Sequence, residues 1–223
     1  MSDSQDKAKE RAGRSAAEYV VAGMRVGLGT GSTLRHTIVA LGERRPDVIC
    51  VATSDRTAEL ARNVGLKLVA PDEAGSLDLA IDGADEVDPA LNLIKGGGGA
   101  HTREKVVARM AARFVVAVDS SKLVPALGAF GVPLEVLAFA PGVVAARVRE
   151  LGALDVRRRV ERSDGDNVLL HAQFGTIADP IALAGALDAI PGLVGHGLFP
   201  GSWVERVVVG DSDGVRELVA PRA

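Results

Sequence analysis

Short apolar runs in this chain repeatedly end in turns of glycine, serine, threonine or aspartate and then resume at helical spacing, and that rhythm restricts the fold more than any other feature. Met24-Arg25-Val26-Gly27-Leu28-Gly29 runs straight into Thr30-Gly31-Ser32-Thr33, and Leu34 to Leu41 recurs helically. Val48 to Thr53 ends at Ser54-Asp55-Arg56-Thr57, with Thr57 to Val64 continuing as a helix. A strand at Lys67 to Val69 follows, then Leu77-Asp78-Leu79-Ala80-Ile81, which alternates like a buried strand and leads into Asp82. A helix from Thr102 to Ala112 and the apolar Phe114-Val115-Val116-Ala117-Val118 complete the series. A first helix over 5–23 precedes it, with Ala12, Ala16, Tyr19 and Val20 at helical spacing and Gly23 as its stop. Strands that alternate with helices are joined by crossovers, so the expected fold is α/β, a parallel sheet with helices on both faces.

Around Gly128 to Pro133 the composition shifts to glycine and proline and the rhythm changes. Leu134 to Phe139 reads as a strand, Pro141 to Leu151 as a helix, Leu154 to Val160 and Asn167 to Phe174 as strands, Pro180 to Ile190 as a helix and Leu193 to Phe199 as a strand. The order β-α-β-β-α-β is the ferredoxin-like arrangement of a smaller α+β domain. Ser163-Asp164-Gly165-Asp166-Asn167 supplies the hairpin turn between its middle strands. Val204 to Gly210 is one more strand, too short with its tail to fold alone, and is expected to return to the first domain. The expected division is therefore 1–130, completed by 204–223, and 131–203.

Open α/β sheets place ligands at the carboxyl ends of their strands. There Asp82-Gly83-Ala84-Asp85-Glu86 is followed by Lys95-Gly96-Gly97-Gly98-Gly99-Ala100 and then by Arg103-Glu104-Lys105. Consecutive glycines offer no side chains. Their value is close approach of a backbone whose N–H groups can point at an anion or a developing oxyanion, and Lys95 adds a full positive charge. Each residue alone has a plainer reading: Asp82 and Asp85 as turn residues, Glu104 as a first-turn carboxylate favoured by the helix dipole, Lys95 and Lys122 as solvated charges. Together they make a site for acid–base chemistry on a polar anion. Gly27 to Thr33 fails the dinucleotide fingerprint, because Ser32 or Leu34 falls where the last glycine belongs, and no GK[ST] follows. What remains is a tight turn at a helix N-terminus, suited to a phosphate or a plain turn with Ser32 or Thr33 as its cap.

Composition removes several partners. With 223 residues and 47% hydrophobic content the chain can bury a sizeable core. A formal net charge of −3 and 3% aromatics provide neither the basic field nor the stacking platforms of a nucleic-acid binder. No apolar run approaches the ~18 residues of a membrane span, and the polar start Met1 to Arg14 lacks the apolar core of a signal peptide, so a cytoplasmic protein is expected. The single cysteine, Cys50, lies in a strand-like run and reads as a core thiol. His36, His101, His171 and His196 show no metal-ligand spacing, so no metal site is expected.

Gly29-Thr30-Gly31-Ser32-Thr33, Asp82-Gly83-Ala84-Asp85-Glu86, Lys95-Gly96-Gly97-Gly98 with Arg103-Glu104-Lys105, and Asp119-Ser120-Ser121-Lys122 occur in an order and spacing that resembles ribose-5-phosphate isomerase, type A. Asp179-Pro180-Ile181 and Ile190-Pro191-Gly192 extend the resemblance over nearly the whole chain. It implies a cofactor-free aldose–ketose isomerase interconverting D-ribose 5-phosphate and D-ribulose 5-phosphate through an enediolate, in the non-oxidative pentose phosphate pathway. It further implies a Rossmann-like domain beside the ferredoxin-like one, in a homodimer or homotetramer. By position the general base matches Glu104, the substrate aspartates match Asp82 and Asp85, and the site lysines match Lys95 and Lys122. Gly83, Ala84 and Gly96 to Gly98 complete the substrate-binding set, and Thr30, Gly31, Ser32 and Thr33 match the phosphate loop. His101 stands where an apolar residue would be expected, and an amino-terminal lysine near the phosphate corresponds to Lys7 or Lys9.

Two competing readings have different signatures. A sugar-phosphate sensor of a transcription regulator needs a DNA-binding module, and residues 1–23 offer one helix and no helix-turn-helix. A coenzyme A transferase, or a sugar-phosphate deaminase or lactonase, would share the architecture. A covalent transferase, however, would use a nucleophilic carboxylate without the paired aspartates and Lys95.

Overall fold

The computed structural model of the protein describes residues 3–219. Helix α1 (Asp3–Ala17) is followed by β1 (Arg25–Leu28), α2 (Ser32–Arg44), β2 (Ile49–Ala52), α3 (Asp55–Asn63), β3 (Lys67–Leu68), the single turn α4 (Pro71–Ala74) and β4 (Leu77–Asp82). Two short strands, β5 (Glu86–Val87) and β6 (Leu93–Ile94), precede α5 (His101–Met110) and β7 (Ala111–Asp119). Then come β8 (Val132–Val136), α6 (Pro141–Glu150), β9 (Asp155–Arg162), β10 (Val168–Gln173), α7 (Pro180–Asp188), β11 (Leu193–His196), β12 (Leu198–Phe199), β13 (Arg206–Gly210) and β14 (Val215–Val219). Among the described residues no helix is long and apolar enough to cross a membrane.

The chain forms two units, one of residues up to Gly83, Arg103–Lys122 and from Ser202 onward, the other of Ala84–Thr102 and Leu123–Gly201. This differs from a division at residue 130. Residues 84–102 and 123–130 join the second unit because β5, β6 and β12 form a small antiparallel sheet, and because Val124 N–H donates to Val87 O at 2.9 Å.

In the first unit the sheet order is β14-β13-β7-β4-β1-β2-β3, parallel throughout except for β14 on the edge. From β3 to β13 this is the doubly wound order, which reverses between β1 and β4. Apolar residues on both faces of the central strands explain their burial: on one face Val26 and Leu28 of β1, Leu79 and Ile81 of β4, and Val115 and Ala117 of β7 share a core with Ala12, Leu34 and Ile38, and on the other Ala80, Phe114 and Val116 are buried as well. Cys50 lies in that core, and burial pushes its thiol up to about 12. Helix α1 stops at Ala17 and does not reach Gly23. Its last turns tighten through Tyr19 N–H to Ala16 O and Val20 N–H to Ala17 O, and the Arg44 guanidinium takes up the carbonyls of Ala17 and Val20. The returning strand is β13, parallel to β7, and the tail forms β14 antiparallel to it, an element not anticipated.

In the second unit β8, β9, β10 and β11 form an antiparallel sheet in the order β11-β8-β10-β9, with α6 and α7 as crossovers, which is the ferredoxin-like topology. Its core gathers Leu134, Val136, Val148, Leu170 and Leu187. The strand expected to reach Phe139 ends at Val136, leaving Phe139 96% exposed just before α6 begins at Pro141. The strand expected over Leu193–Phe199 is split, because β11 pairs with β8 while β12 pairs with β6. Gly197 between them donates to Pro133 O and accepts from Lys95 N–H, each at 2.8 Å, so the chain changes sheets there.

Candidate active site

In the first unit the neighbouring parallel strands β1, β4 and β7 bring Gly29 to Thr33, Asp82 with Gly83, and Ser120 to Lys122 to the carboxyl edge of one sheet. Asp82 is buried, and its Oδ1 accepts the N–H of Gly83 at 2.7 Å and that of Thr30 at 3.1 Å. The carboxylate therefore fixes the start of the β1 turn. Gly29 is required for this, since a Cβ at that position would overlap the Asp82 carboxylate. Lys122, half-buried, follows Asp119, whose Oδ1 accepts the N–H and hydroxyl of Ser121.

The hydroxyl of Thr30 is turned inward. Its Oγ1 meets Ser54 Oγ at 2.7 Å, Thr53 Oγ1 at 2.9 Å and Thr57 Oγ1 at 3.0 Å, while Thr57 donates on to Gly29 O at 3.0 Å. A hydroxyl has one hydrogen to donate, and with Ser54 donating to Thr57 and Thr57 to Gly29 O, that of Thr30 is committed to Ser54. Thr30 thus holds the loop, and the groups left for an anion are Ser32, Thr33 and the first-turn amides of α2. Gly31 caps α2 and makes no side-chain hydrogen bond to the first-turn amides, which a Ser, Thr, Asn or Asp cap would have engaged. Beside them lies a cavity of about 450 Å³ lined in part by Ser32, Arg35, Arg56 and Asn63. Of the two amino-terminal lysines, Lys9 is buried and Lys7 exposed.

Glu104 sits in the first turn of α5 and is 3% exposed. Burial there is favoured by the helix dipole, which prefers a carboxylate near its positive end. Its neighbour Arg103 pairs with Asp55 at 2.9 Å.

In the second unit Asp85 and the glycines come together. Asp85 Oδ2 accepts the Gly97 N–H at 2.8 Å, and Gly99 N–H closes the turn on Gly96 O at 2.9 Å. Gly96 and Gly99 have φ of 101° and 83°, values that side chains disfavour. Lys95, at the loop's entrance, is 2% exposed, with its amine 5.4 Å above the Phe199 ring. His101 is buried, with Nε2 3.3 Å from Gly195 O, which explains a polar residue where an apolar one was expected.

Three supporting features were not anticipated. Thr53, Ser54 and Thr57 complete the hydroxyl cluster. Arg159 of β9 donates to Gly97 O at 2.8 Å. His171 packs its ring edge-on to Phe130 at 5.2 Å, and burial, followed by the charge of Arg159, pushes its pKa below the ordinary histidine value. The clustered hydroxyls of 53–57 were visible as a signal; the reach of Arg159 from a separate strand was not.

The family model described as Ribose 5-phosphate isomerase A (phosphoriboisomerase A) matches residues 49–214. The chain is 48% identical to a ribose-5-phosphate isomerase A of Thermomicrobium roseum, covering 97% of this chain and 95% of that one, and 48% identical to one of Haloarcula marismortui, covering 94% of each. The crystal structure of ribose 5-phosphate isomerase A from Neisseria gonorrhoeae superposes with a TM-score of 0.94 at 32% identity, covering 98% of both chains. A D-ribose-5-phosphate isomerase solved in complex with phospho-erythronic acid gives 0.92 at 34% identity, covering 96% of this chain and 98% of that one.

Proposed function

Since the chain belongs to the ribose 5-phosphate isomerase A family, and so interconverts ribose 5-phosphate and ribulose 5-phosphate, we propose that the Glu104 carboxylate carries the proton between C2 and C1 through an enediolate. The observation that carries this reading is a carboxylate 3% exposed, in the first turn of the helix that directly follows the glycine loop. A C–H proton beside a carbonyl is weakly acidic. Its removal needs a positioned base and fixed positive groups for the charge that develops on oxygen.

Lys95 and the glycine-loop amides supply that positive field, stabilising the enediolate oxygen. Asp82 and Asp85 hold substrate hydroxyls and exchange protons during ring opening, each with one carboxylate oxygen already anchoring its own loop. Ser32, Thr33 and the first-turn amides of α2 receive the phosphate, with Lys122, and Lys9 on the buried face of α1, adding charge. Phosphate binding, remote from the reacting carbons, supplies positioning for the chemical step. The phospho-erythronic acid bound by the relative supports this assignment by its chemistry: a phosphate at one end, and at the other a planar carboxylate that resembles the two oxygens of an enediolate.

The experiment is turnover of ribose 5-phosphate in deuterated water. A shuttle through an exchangeable carboxyl group leaves solvent deuterium at C1 of the ketose. Transfer without any solvent label would point to a hydride shift and overturn the assignment of Glu104. We also propose a cytoplasmic homodimer or homotetramer, the assembly common in the family, which sedimentation velocity would test.

A further inference from the structure

Arg159 is the half-buried member of Arg157-Arg158-Arg159 in β9. Its Nη1 donates to the carbonyl of Gly97 at 2.8 Å, and its Nε lies 3.5 Å from Glu161 Oε2. Two neighbouring amides of the turn are committed: Gly97 N–H to Asp85, and Gly99 N–H to Gly96 O. The N–H of Gly98 is different. It has no hydrogen-bond partner among the described residues, and Gly98 is exposed.

The Gly97 carbonyl and the Gly98 N–H belong to one planar trans peptide and point in opposite directions. Whatever holds that oxygen therefore aims that hydrogen. Glycines give little steric resistance to a rotated peptide plane, and rotation would present the Gly97 carbonyl oxygen where a donor is needed. A charged donor on the carbonyl opposes this, because such bonds are roughly twice as strong as neutral ones, and it polarises the amide beyond it. We propose that Arg159 is a positioning residue for the isomerisation: it fixes the Gly97–Gly98 peptide so that the Gly98 N–H is the amide donated to the enediolate oxygen. This rests on the reading that the glycine-loop amides stabilise that intermediate.

The test is Arg159→Ala, with steady-state kinetics on ribose 5-phosphate and thermal unfolding measured together. Removing an oxyanion donor outright costs ~10²–10³ in kcat. Loss of its orientation should cost part of that, about tenfold to a hundredfold, with KM within about threefold of the parent. Arg159→Lys, which keeps a charged donor, should recover part of the rate, and free guanidinium should partly restore kcat in Arg159→Ala without moving the unfolding midpoint. A kcat within about twofold of the parent, or a loss that guanidinium does not relieve, overturns the proposal. Should the alanine variant fail to fold, Arg159→Gln, which keeps a neutral donor of similar reach, is read by the same criteria. Gly98→Pro deletes the amide hydrogen itself. If it loses kcat while Arg159→Ala does not, the loop's role stands and that of Arg159 falls; if it keeps kcat, the loop reading fails with it.

Discussion

Asp82 and Thr30 join the ends of two neighbouring strands: the carboxylate that terminates β4 accepts the backbone N–H of the residue that follows β1 and Gly29, at 3.1 Å. The link lies where the strand order reverses, the place an open α/β sheet reserves for ligands. It makes Asp82, a proposed substrate residue, also the anchor of the turn after β1.

Gly29→Ala should therefore damage two functions at once. The new methyl would overlap the Asp82 carboxylate, and overpacking of this kind typically costs about 1–3 kcal/mol. Circular dichroism melts should show a lowered midpoint, and kinetics should show both a raised KM and a reduced kcat. A variant with parent-like kinetics would show that the Asp82 to Thr30 link is dispensable.

The hydroxyls of Thr30 and Ser32 should separate cleanly. Thr30→Val removes one hydroxyl from a buried cluster, taking a hydrogen-bond partner from Thr53 while Ser54 and Thr57 keep each other and Gly29 O, so it should lower stability by about 1–3 kcal/mol in denaturant titration. Ser32→Ala should leave stability nearly unchanged and raise KM for ribose 5-phosphate. Free ribose, which lacks the phosphate handle, should react far more slowly at equal concentration, with much of the loss in kcat/KM. Equal turnover of the two sugars would remove the phosphate role from this loop.

Much of this was legible because periodicity is a local property. The alternation of Leu77 to Ile81 and the turns after β1 and β2 are written in consecutive residues, so the doubly wound sheet follows, and the β-α-β-β-α-β order gives the second unit. Two-residue strands such as β5, β6 and β12 are too short to carry a period and are defined by their pairing. The end of α1 is set by Arg44, 27 residues beyond Ala17. Within the candidate site the reactive side chains were proposed from type and order. The groups that hold them were not, since Arg159 reaches Gly97 across 62 residues and the inward turn of Thr30 depends on Thr53 and Ser54 of the next loop.

Acid stability should report on Glu135. Burial pushes its carboxyl pKa up, but hydrogen bonds from Ser163 Oγ at 2.6 Å and Asn167 Nδ2 at 2.8 Å outweigh this and hold it below the ordinary value. A folded-state pKa below the unfolded one stabilises the protein above the unfolded value, about 4.3; that contribution is lost as pH falls through the folded value. Glu135→Gln should melt lower than the parent at pH 7 and show a shallower fall in midpoint below about pH 4.5. Parallel acid profiles for the two proteins would remove Glu135 from the acid transition.

Exhaustive chelation should leave activity intact. The histidines and the single cysteine lack ligand spacing, and no three His, Cys, Asp or Glu side chains gather to hold a metal ion among the described residues. The chemistry assigned here stabilises charge with an amine and amides. Loss of turnover after chelation, restored by a divalent ion, would require a metal in place of that role.

Glu104→Gln is the sharpest test of the mechanism. The substitution keeps size and shape and removes the basic oxygen, so ribose 5-phosphate should still bind through its phosphate and hydroxyls while the proton shuttle stops. A positioned general base is worth about 10²–10⁴ in rate, which corresponds to roughly 3–5.5 kcal/mol of barrier. The expected result is a kcat lowered by at least about a hundredfold with KM little changed. Near-normal kcat in this variant would move the base to another group, with Asp82 and Asp85 next in line, each a carboxylate that already accepts a loop N–H.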